Sequence, residues 1–152
     1  MTISDVKVRC LELIKMAYPS YTYYSNAVVE KIEERPSFVT QIRPIIMEPV
    51  NYNSRNNVVV LTVTYFQKVV DEPDALKVIQ TIRDLFGLAV RVRLEDGTRA
   101  VKVTEFEYDF IGTERNIPQI TITLEWMDVI VHPDDSELME NLTLNEELKI
   151  QY

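Results

Sequence analysis

Two neighbouring segments in the second half of the chain alternate apolar and polar residues along their whole length. They are residues 101–111 (VKVTEFEYDFI) and 117–126 (IPQITITLEW), and the short polar sequence GTERN joins them. Alternation with a period of two is typical of strands that bury one face and expose the other. The two segments therefore predict an antiparallel hairpin, which makes an antiparallel sheet the centre of the fold.

The first of these segments changes phase along its length. Val101 and Val103 place apolar side chains at odd positions, whereas Phe106 and Tyr108 place them at even positions. A slip of one residue moves every following side chain to the other face of a sheet. The pattern therefore predicts a β-bulge or a sharp bend near residues 104–105.

The other elements are predicted from periodicity and from turn residues. Residues 2–17 and 71–86 carry apolar side chains at helical spacing, and Pro19 and Gly87 are typical of residues that follow a helix. The pair Asp96-Gly97 is a strong hairpin-turn signal. The remaining strand patterns cover residues 27–33, 37–43, 57–66 and 89–94.

These elements predict an α+β fold in which two amphipathic helices pack on a mostly antiparallel sheet. We expect one domain over residues 1–131 and an acidic C-terminal arm over residues 132–152, which holds six carboxylates against one lysine. A chain of 152 residues with 46% hydrophobic residues is large enough to bury a core of its own. The predicted core residues are Leu13, Val63, Ile79, Ile82, Phe106, Tyr108, Ile122 and Leu124.

The residues offer little for catalysis, for cofactor binding or for metal binding. The chain has one cysteine, one histidine and three glycines, and it has no phosphate-binding loop motif. Cys10 lies on the apolar face of the first predicted helix, and His132 precedes a proline in a predicted loop. We therefore expect a protein that is not an enzyme and has neither cofactor nor metal. The net charge of −8 argues against a partner held through nucleic-acid phosphates, and no apolar stretch approaches membrane-spanning length.

Charged residues of both signs are grouped on predicted strands. Glu105, Glu107 and Asp109 share one face of their strand, which predicts either a solvated face or an interface. On the other predicted hairpin, three arginines are close in sequence: Arg91, Arg93 and Arg99. Guanidinium groups that lie together repel unless carboxylates face them. One interpretation is a solvated edge near Glu95 and Asp96; the other is a socket for carboxylates of another subunit, from strand 105–109 or from the acidic arm.

Two segments are predicted to contact neighbouring molecules. Residues 44–56 contain two prolines and three asparagines, and we expect them to form a loop that is longer than most connections. This segment carries the apolar side chains of Ile45, Ile46 and Val50. The segment after Pro133 carries a second set, which consists of Leu138, Leu142 and Leu144. Both sets are expected to serve as apolar anchors at subunit interfaces.

The order of these pieces resembles the tail terminator family of tailed phages and of phage-tail-like particles of Gram-positive bacteria. The sequences that carry the resemblance lie within residues 1–130, which is most of the chain. They are ERPSFVTQI after an N-terminal helix, an Asn-rich segment, VVVLTVTYF, the helix DEPDALKVIQTIRDLF, and the closing pair VTEFEYDF and ITITLEW.

The resemblance implies a structural subunit that forms a ring, usually a hexamer, on the head-proximal end of the tail tube. Such a ring stops tube growth and meets the neck, and in a contractile tail it also meets the last ring of sheath protein. The implied partners are further copies of the chain, the tube protein, and neck or connector proteins, with DNA passing through the lumen without specific binding. The implied location is the particle tail, after assembly in the host cytoplasm.

Two other functions stay open at the level of sequence. A neck or head–tail joining protein of the same particle would share the fold class and differ only in its contacts. A regulatory module that binds a small molecule would need a pocket, for which the tyrosines at positions 18–24 are the candidates.

Overall fold

Six strands form one sheet in the order β1-β2-β3-β6-β5-β4, and every neighbouring pair is antiparallel except β1 and β2. The computed structural model describes residues 1–25 and 34–131. The strands are β1 (Thr22–Ser25), β2 (Ser37–Asn51), β3 (Ser54–Phe66), β4 (Ala89–Leu94), β5 (Gly97–Ile111) and β6 (Ile117–Val129). The predicted α+β class with a mostly antiparallel sheet is confirmed.

Two helices accompany the sheet, α1 (Ile3–Ala17) and α2 (Glu72–Phe86). Helix α1 begins with a capping box in which the side chains of Thr2 and Asp5 each accept a hydrogen bond from the other residue's backbone N–H. Helix α2 ends at Gly87, whose φ of 54° is in the left-handed region that favours glycine. Both helices therefore begin and end within a residue or two of the positions that the sequence predicts.

One face of the sheet is covered by both helices. The α1 stripe that is fully buried consists of Val6, Cys10 and Ile14, and it belongs to the same apolar cluster as Leu61 of β3 and Ile122 of β6. Spacing of four residues places the three α1 side chains on one side of the helix. We call this the covered face; the opposite side of the sheet is the open face.

The bulge that the phase change predicts is present in β5. Val103 pairs with Leu124 of β6, and the next paired residue is Glu105, which faces Thr123, so that residue 104 is the extra one. The bulge allows Val101 and Phe106 to lie on the covered face although their positions differ in parity. Glu105, Glu107 and Asp109 consequently share the open face, as the sequence predicts.

The prediction of a loop over residues 44–56 is wrong. These residues continue β2 and begin β3, so that the two strands form one long hairpin with its turn at Tyr52 and Asn53. Pro44 and Pro49 fit because β2 has irregular register next to each of them, and proline is tolerated at bulges and on strands with an open edge. The Asn51 side chain accepts a hydrogen bond from Asn53 N, which favours the tight turn.

The first strand pair also differs from its prediction. The strand predicted over residues 27–33 lies outside the described residues. The described partner of β2 on that side is β1, which includes Tyr23 and Tyr24 and runs parallel to residues 37–40.

The predicted core is confirmed at most positions. Five of its members are buried: Val63, Ile79, Ile82, Ile122 and Leu124. Leu13 and Phe106 are partly buried against that core, whereas Tyr108 is wrong because 56% of it is exposed. Tyr108 projects on the helix side near the end of β5, where α2 does not cover it. The C-terminal arm predicted over residues 132–152 lies outside the described residues, so its boundary stays a prediction.

Candidate functional site

The distal half of the β2–β3 hairpin is an arm that carries exposed apolar side chains. We define the arm as residues 41–57, because burial on β2 ends at Thr40. The predicted anchors Ile45, Ile46 and Val50 all lie on the arm and are exposed, together with Met47. Apolar groups clustered on the surface of a small protein are typical of interaction sites.

The end of β6 extends the same apolar surface. Met127 pairs with Asn56 and Val129 pairs with Ser54, so both lie beside the part of the arm that is next to its turn. Their side chains are 58% and 73% exposed, respectively. The strand predicted from the sequence ends at Trp126 and so omits these two residues, although their alternation with Asp128 favours a longer strand.

Asp128 ties the β3 strand of the arm to the rest of the sheet. Its carboxylate accepts hydrogen bonds from Trp126 Nε1 at 2.9 Å and from Asn57 Nδ2 at 3.1 Å. It also forms ion pairs with Arg99 at 3.4 Å and with the amino group of Met1 at 3.6 Å. Four groups from four parts of the chain thus converge on one carboxylate, which links the β3 strand of the arm to β5, to β6 and to the N-terminus.

Arg99 therefore does not join Arg91 and Arg93 in one cluster. It pairs in register with Val92, whose side chain is buried on the covered face, and it forms a second ion pair with Asp96 at 2.8 Å. Arg91 and Arg93 alternate with Val92 and are exposed on the open face. We call these two residues the basic corner, since β4 is the last strand of the sheet.

The acidic residues of β5 form an exposed strip on the same open face. Glu105, Glu107 and Asp109 face Thr123, Thr121 and Gln119 of β6, respectively. We call them the acidic strip. Arg91 pairs with Ala100, which is seven residues from Glu107, so the basic corner lies roughly 20 Å along β5 from the middle of the strip. The two charged groups lie at different ends of the same side of the sheet.

A groove separates α2 from the end of β5. β4 pairs with β5 only at residues 97–102, and no described strand lies beyond residues 104–111 on that side. Leu76 of α2 and Tyr108 of β5 expose 44% and 56% of their surface here. The groove is lined by Leu76, Ile79, Gln80, Arg83, Phe106 and Tyr108. The sequence analysis missed it because it depends on how far β4 extends beside β5.

The remaining candidates for chemistry lie in structural roles or outside the described residues. Cys10 is fully buried, and burial raises the pKa of its thiol to about 12, which keeps it protonated. Within residues 1–25 and 34–131, no three His, Cys, Asp or Glu side chains are grouped in a way that would hold a metal ion. In that same part of the chain, no helix has the length and apolar character needed to cross a membrane. His132 and the anchors Leu138, Leu142 and Leu144 lie outside it.

The tyrosines expected to line a pocket pack against one another and against core aromatic rings. The Tyr21 ring lies 4.9 Å from that of Tyr18 and 6.0 Å from that of Tyr65, and Phe38 stacks on Tyr65 at 5.0 Å. Burial raises the pKa of Tyr23 to about 12, and its hydroxyl donates to the carbonyl of Tyr18 at 2.7 Å. These rings serve mainly in packing, and Tyr21 and Tyr65 also border an open surface cavity together with Pro36 and Asp74.

A family model described as phage tail terminator protein matches residues 5–136, which include helix α2, the whole sheet, the arm and all of helix α1 except its first two residues. The chain belongs to the phage tail terminator family. This terminator is therefore a structural protein of a phage tail, and it interacts with other tail proteins. Its exposed arm, its basic corner and its acidic strip are surfaces suited to such contacts.

Comparison with solved structures supports the fold. One solved chain superposes with a TM-score of 0.50 at 15% identity, and the match covers 88% of this terminator and 99% of the other chain. At that identity the likeness concerns the arrangement of helices and strands. A comparison with curated proteins found no match.

Proposed function

We propose that this terminator forms a closed ring, a hexamer, on the head-proximal end of the tail tube. There it stops the addition of tube subunits and presents a surface to the neck, and in a contractile tail it also meets the last ring of sheath protein. The observation that carries the proposal is the family match over residues 5–136, which include the arm, the basic corner and the acidic strip.

The surface of the subunit supports assembly into a ring. A ring uses a head-to-tail interface, in which two different surfaces of each subunit meet. The arm with its apolar side chains belongs to β2 and β3, whereas the groove and the acidic strip belong to the β5 side of the sheet. Unlike surfaces on different sides of one subunit are what such an interface requires.

The basic corner is proposed as the socket for an acidic segment of a neighbour. Strand 105–109 lies on the same side of the sheet as Arg91 and Arg93. Because a head-to-tail interface joins two different surfaces, we propose that the carboxylates come from residues 132–152. That segment follows Val131, and the preceding residue, Ile130, donates a hydrogen bond from its N–H to Asn53 at the tip of the arm. Exposed ion pairs contribute about 0–1 kcal/mol each, so they would fix register while apolar contacts supply affinity.

The termination role is tested by assembling tails without the protein. We expect tubes of irregular length with head-proximal ends that do not attach to the neck, measured by electron microscopy of purified particles. Tails of normal, uniform length would contradict termination. If such tails also failed to join heads, the neck-joining function would replace it.

The socket is tested with two changes whose effects on the stability of the ring should not add. Reversing Arg91 and Arg93 to glutamate, and truncating the chain after Val131, should each weaken the ring by a similar factor in native mass spectrometry. Together they should weaken it no more than either one alone, because they remove the two halves of one contact. Unchanged assembly in both variants, with folded subunits, would rule out the socket.

A further inference from the structure

We infer that residues 142–152 of a neighbouring copy pair as a strand with the unpaired edge of β5 and fill the groove beside α2. This inference rests on the proposed function, because the same C-terminal segment, residues 132–152, carries the carboxylates assigned to the basic corner. It names the occupant of the groove and the kind of contact, which is the addition of a strand to a sheet edge.

The edge of β5 over residues 104–111 is open to another strand. β4 pairs with β5 only at residues 97–102, and Val103 N donates to Leu88 O at 2.9 Å just before β4 begins. Among the described residues, no strand lies beside β5 past that point. In an antiparallel pair, alternate residues direct their N–H and C=O groups away from the partner strand, so the outer side of this segment offers backbone donors and acceptors. No proline interrupts residues 104–111.

The end of the sequence has the pattern of a strand with one apolar face. Residues 142–152 (LTLNEELKIQY) alternate apolar and polar side chains, which is typical of a strand that buries one side. One face holds a single charge, Glu146, among apolar residues. These are Leu142, Leu144, Leu148, Ile150 and Tyr152. The segment lies outside the described residues; in the proposed contact its apolar face covers Leu76 and Tyr108, which are exposed in the groove.

The charges of the two surfaces also match. Among the described residues that line the groove, Arg83 is the one that carries a charge, and it forms no ion pair within that part of the chain. Glu146 is the one charge on the apolar face of the segment. Opposite charges within an apolar contact fix its register. The other face of the segment carries Glu147 and Lys149, which together add no net charge beside the acidic strip.

The order of these groups along the segment matches their order along the surface. Arg83 lies in the last turn of α2, and β4 begins shortly after that helix ends, so Arg83 is at the end of the groove next to the basic corner. Towards the other end, Ala75 of α2 and Phe110 of β5 border one cavity. A segment whose acidic half, residues 134–140, lies at the basic corner therefore reaches Arg83 with Glu146 and continues along the groove with its apolar end, parallel to β5.

Strand addition is tested by hydrogen–deuterium exchange at concentrations at which both compared chains assemble. The outward-facing amides of residues 104–111 should exchange at least about tenfold more slowly in rings of the full chain than in rings of a chain truncated after Asn141. That truncation removes the proposed strand and keeps the carboxylates of residues 134–140, so the basic corner keeps its partner. The control is the edge of β2 over residues 41–51, whose amides should exchange equally in both rings.

Disulfide formation tests both the pairing and the source of the strand. Tyr108→Cys in one chain should form a disulfide with a cysteine at position 148 or 150 of a second chain, and not with one at position 147 or 149, because alternate side chains of a strand point to opposite faces. Each variant alone should give no dimer. Cys10 is buried and protonated, so it does not compete.

The match of charges is tested by exchanging them. Arg83→Glu should weaken the contact between copies about fivefold, and adding Glu146→Arg should restore most of that loss. The matched control is Lys77→Glu, which changes an exposed cation of α2 outside the groove and should leave assembly unchanged. Native mass spectrometry measures assembly, and circular dichroism checks that each variant folds.

The outcomes separate this inference from the proposed function. A ring of normal mass in which residues 104–111 exchange equally fast with and without residues 142–152 would overturn strand addition and leave termination intact. Disulfides that form equally well at positions 147 and 148 would also overturn it. A disulfide that forms only when both cysteines are in one chain would overturn the exchange between copies. A chain that stays monomeric both alone and on tails would contradict the ring itself, and this inference with it.

Discussion

The first four residues of β2 and the remainder of the same strand differ in burial although the pairing with β3 is continuous apart from two register shifts. Residues 37–40 are all buried, whereas residues 41–51 are exposed except for the half-buried Ile42. The difference is what packs against the strand: Phe38 belongs to the core cluster that includes both helices, and Val39 is buried with Phe66 in a second cluster. Neither cluster includes an exposed residue of the arm. Hydrogen bonding to β3 is sufficient to form the arm, and among the residues that the structure describes no second layer covers it, so its apolar side chains are exposed.

The difference in burial between the two regions is tested most directly by making the same substitution, isoleucine to threonine, once in each region. Ile122→Thr removes a methyl group and buries a hydroxyl at a fully buried site, so we expect it to lower the free energy of unfolding by about 2–4 kcal/mol. Ile46→Thr keeps β-branching at an exposed site, so it should change stability by no more than about 0.5 kcal/mol. Urea unfolding followed by circular dichroism measures both.

The same pair of variants should behave in the opposite way in assembly. Ile46→Thr should weaken the ring, whereas any Ile122→Thr protein that remains folded should assemble normally. Equal destabilisation by the two variants would show that the arm is part of the core.

The sequence predicted the covered region better than the arm, and particular residues show why. Strand β6 and the bulge in β5 are read from the alternation of apolar residues, because both depend on burial of one face. Residues 44–56 contain prolines and asparagines, whose local preferences favour a loop. What overrides them is strand pairing: the two halves of the segment pair across the turn, and its β3 half also pairs with β6, which is a non-local contact.

The exposed surfaces were likewise predicted only in part from the sequence. Ile45, Ile46 and Val50 were predicted as interaction residues and are exposed on the arm. The groove was not predicted, because it depends on the length of β4 and on the position of α2 over β5. Tyr108 was assigned to the core for the same reason: alternation gives the face of a strand but not what covers that face.

The junction between the two regions is tested at Asp128. Asp128→Ala leaves Trp126 Nε1 and Asn57 Nδ2 without their acceptor, so we expect a loss of about 1–3 kcal/mol in unfolding free energy. The control is Asp96→Ala, which removes only the exposed ion pair with Arg99 and should cost about 0–1 kcal/mol. Chemical unfolding measures the difference, and equal effects would mean that Asp128 does not hold the arm in place.

The burial of Cys10 between helix α1 and the sheet is tested by unfolding the protein at alkaline pH. Burial raises the pKa of its thiol from 9.0 to about 12, so the folded state disfavours the thiolate. The stability that this group contributes is present below pH 9 and is lost as the pH rises from 9 towards 12, at about 1.4 kcal/mol per pH unit. Cys10→Val keeps an apolar side chain and removes the titration, so its unfolding free energy should fall less steeply over that range. Identical slopes in urea unfolding between pH 8 and pH 11 would contradict the protection of Cys10 by the helix and sheet.

The smallest effect is expected at the start of α1, far from the exposed tip of the arm. Thr2 Oγ1 accepts a hydrogen bond from Asp5 N at 3.2 Å, and the Asp5 carboxylate accepts one from Thr2 N at 2.7 Å. Thr2→Ala removes one half of this capping box and should cost about 1 kcal/mol in unfolding free energy, whereas Thr2→Ser should cost a few tenths at most.

Low pH should reduce the difference in unfolding free energy between the Thr2→Ala variant and the unchanged chain. The hydrogen bonds from Thr2 hold the pKa of Asp5 below its usual value of 3.8, so the contribution of the carboxylate is present above that pH and is lost as the pH falls through the lower, folded pKa. Urea unfolding at pH 7 and below pH 3 measures the change. Ring mass at pH 7 should not respond to Thr2→Ala, because the helix cap belongs to the covered region and lies outside the arm, which is proposed to contact neighbouring copies. A ring that dissociated in this variant would mean that assembly depends on the helix layer, and the division between the covered sheet and the arm would then be wrong.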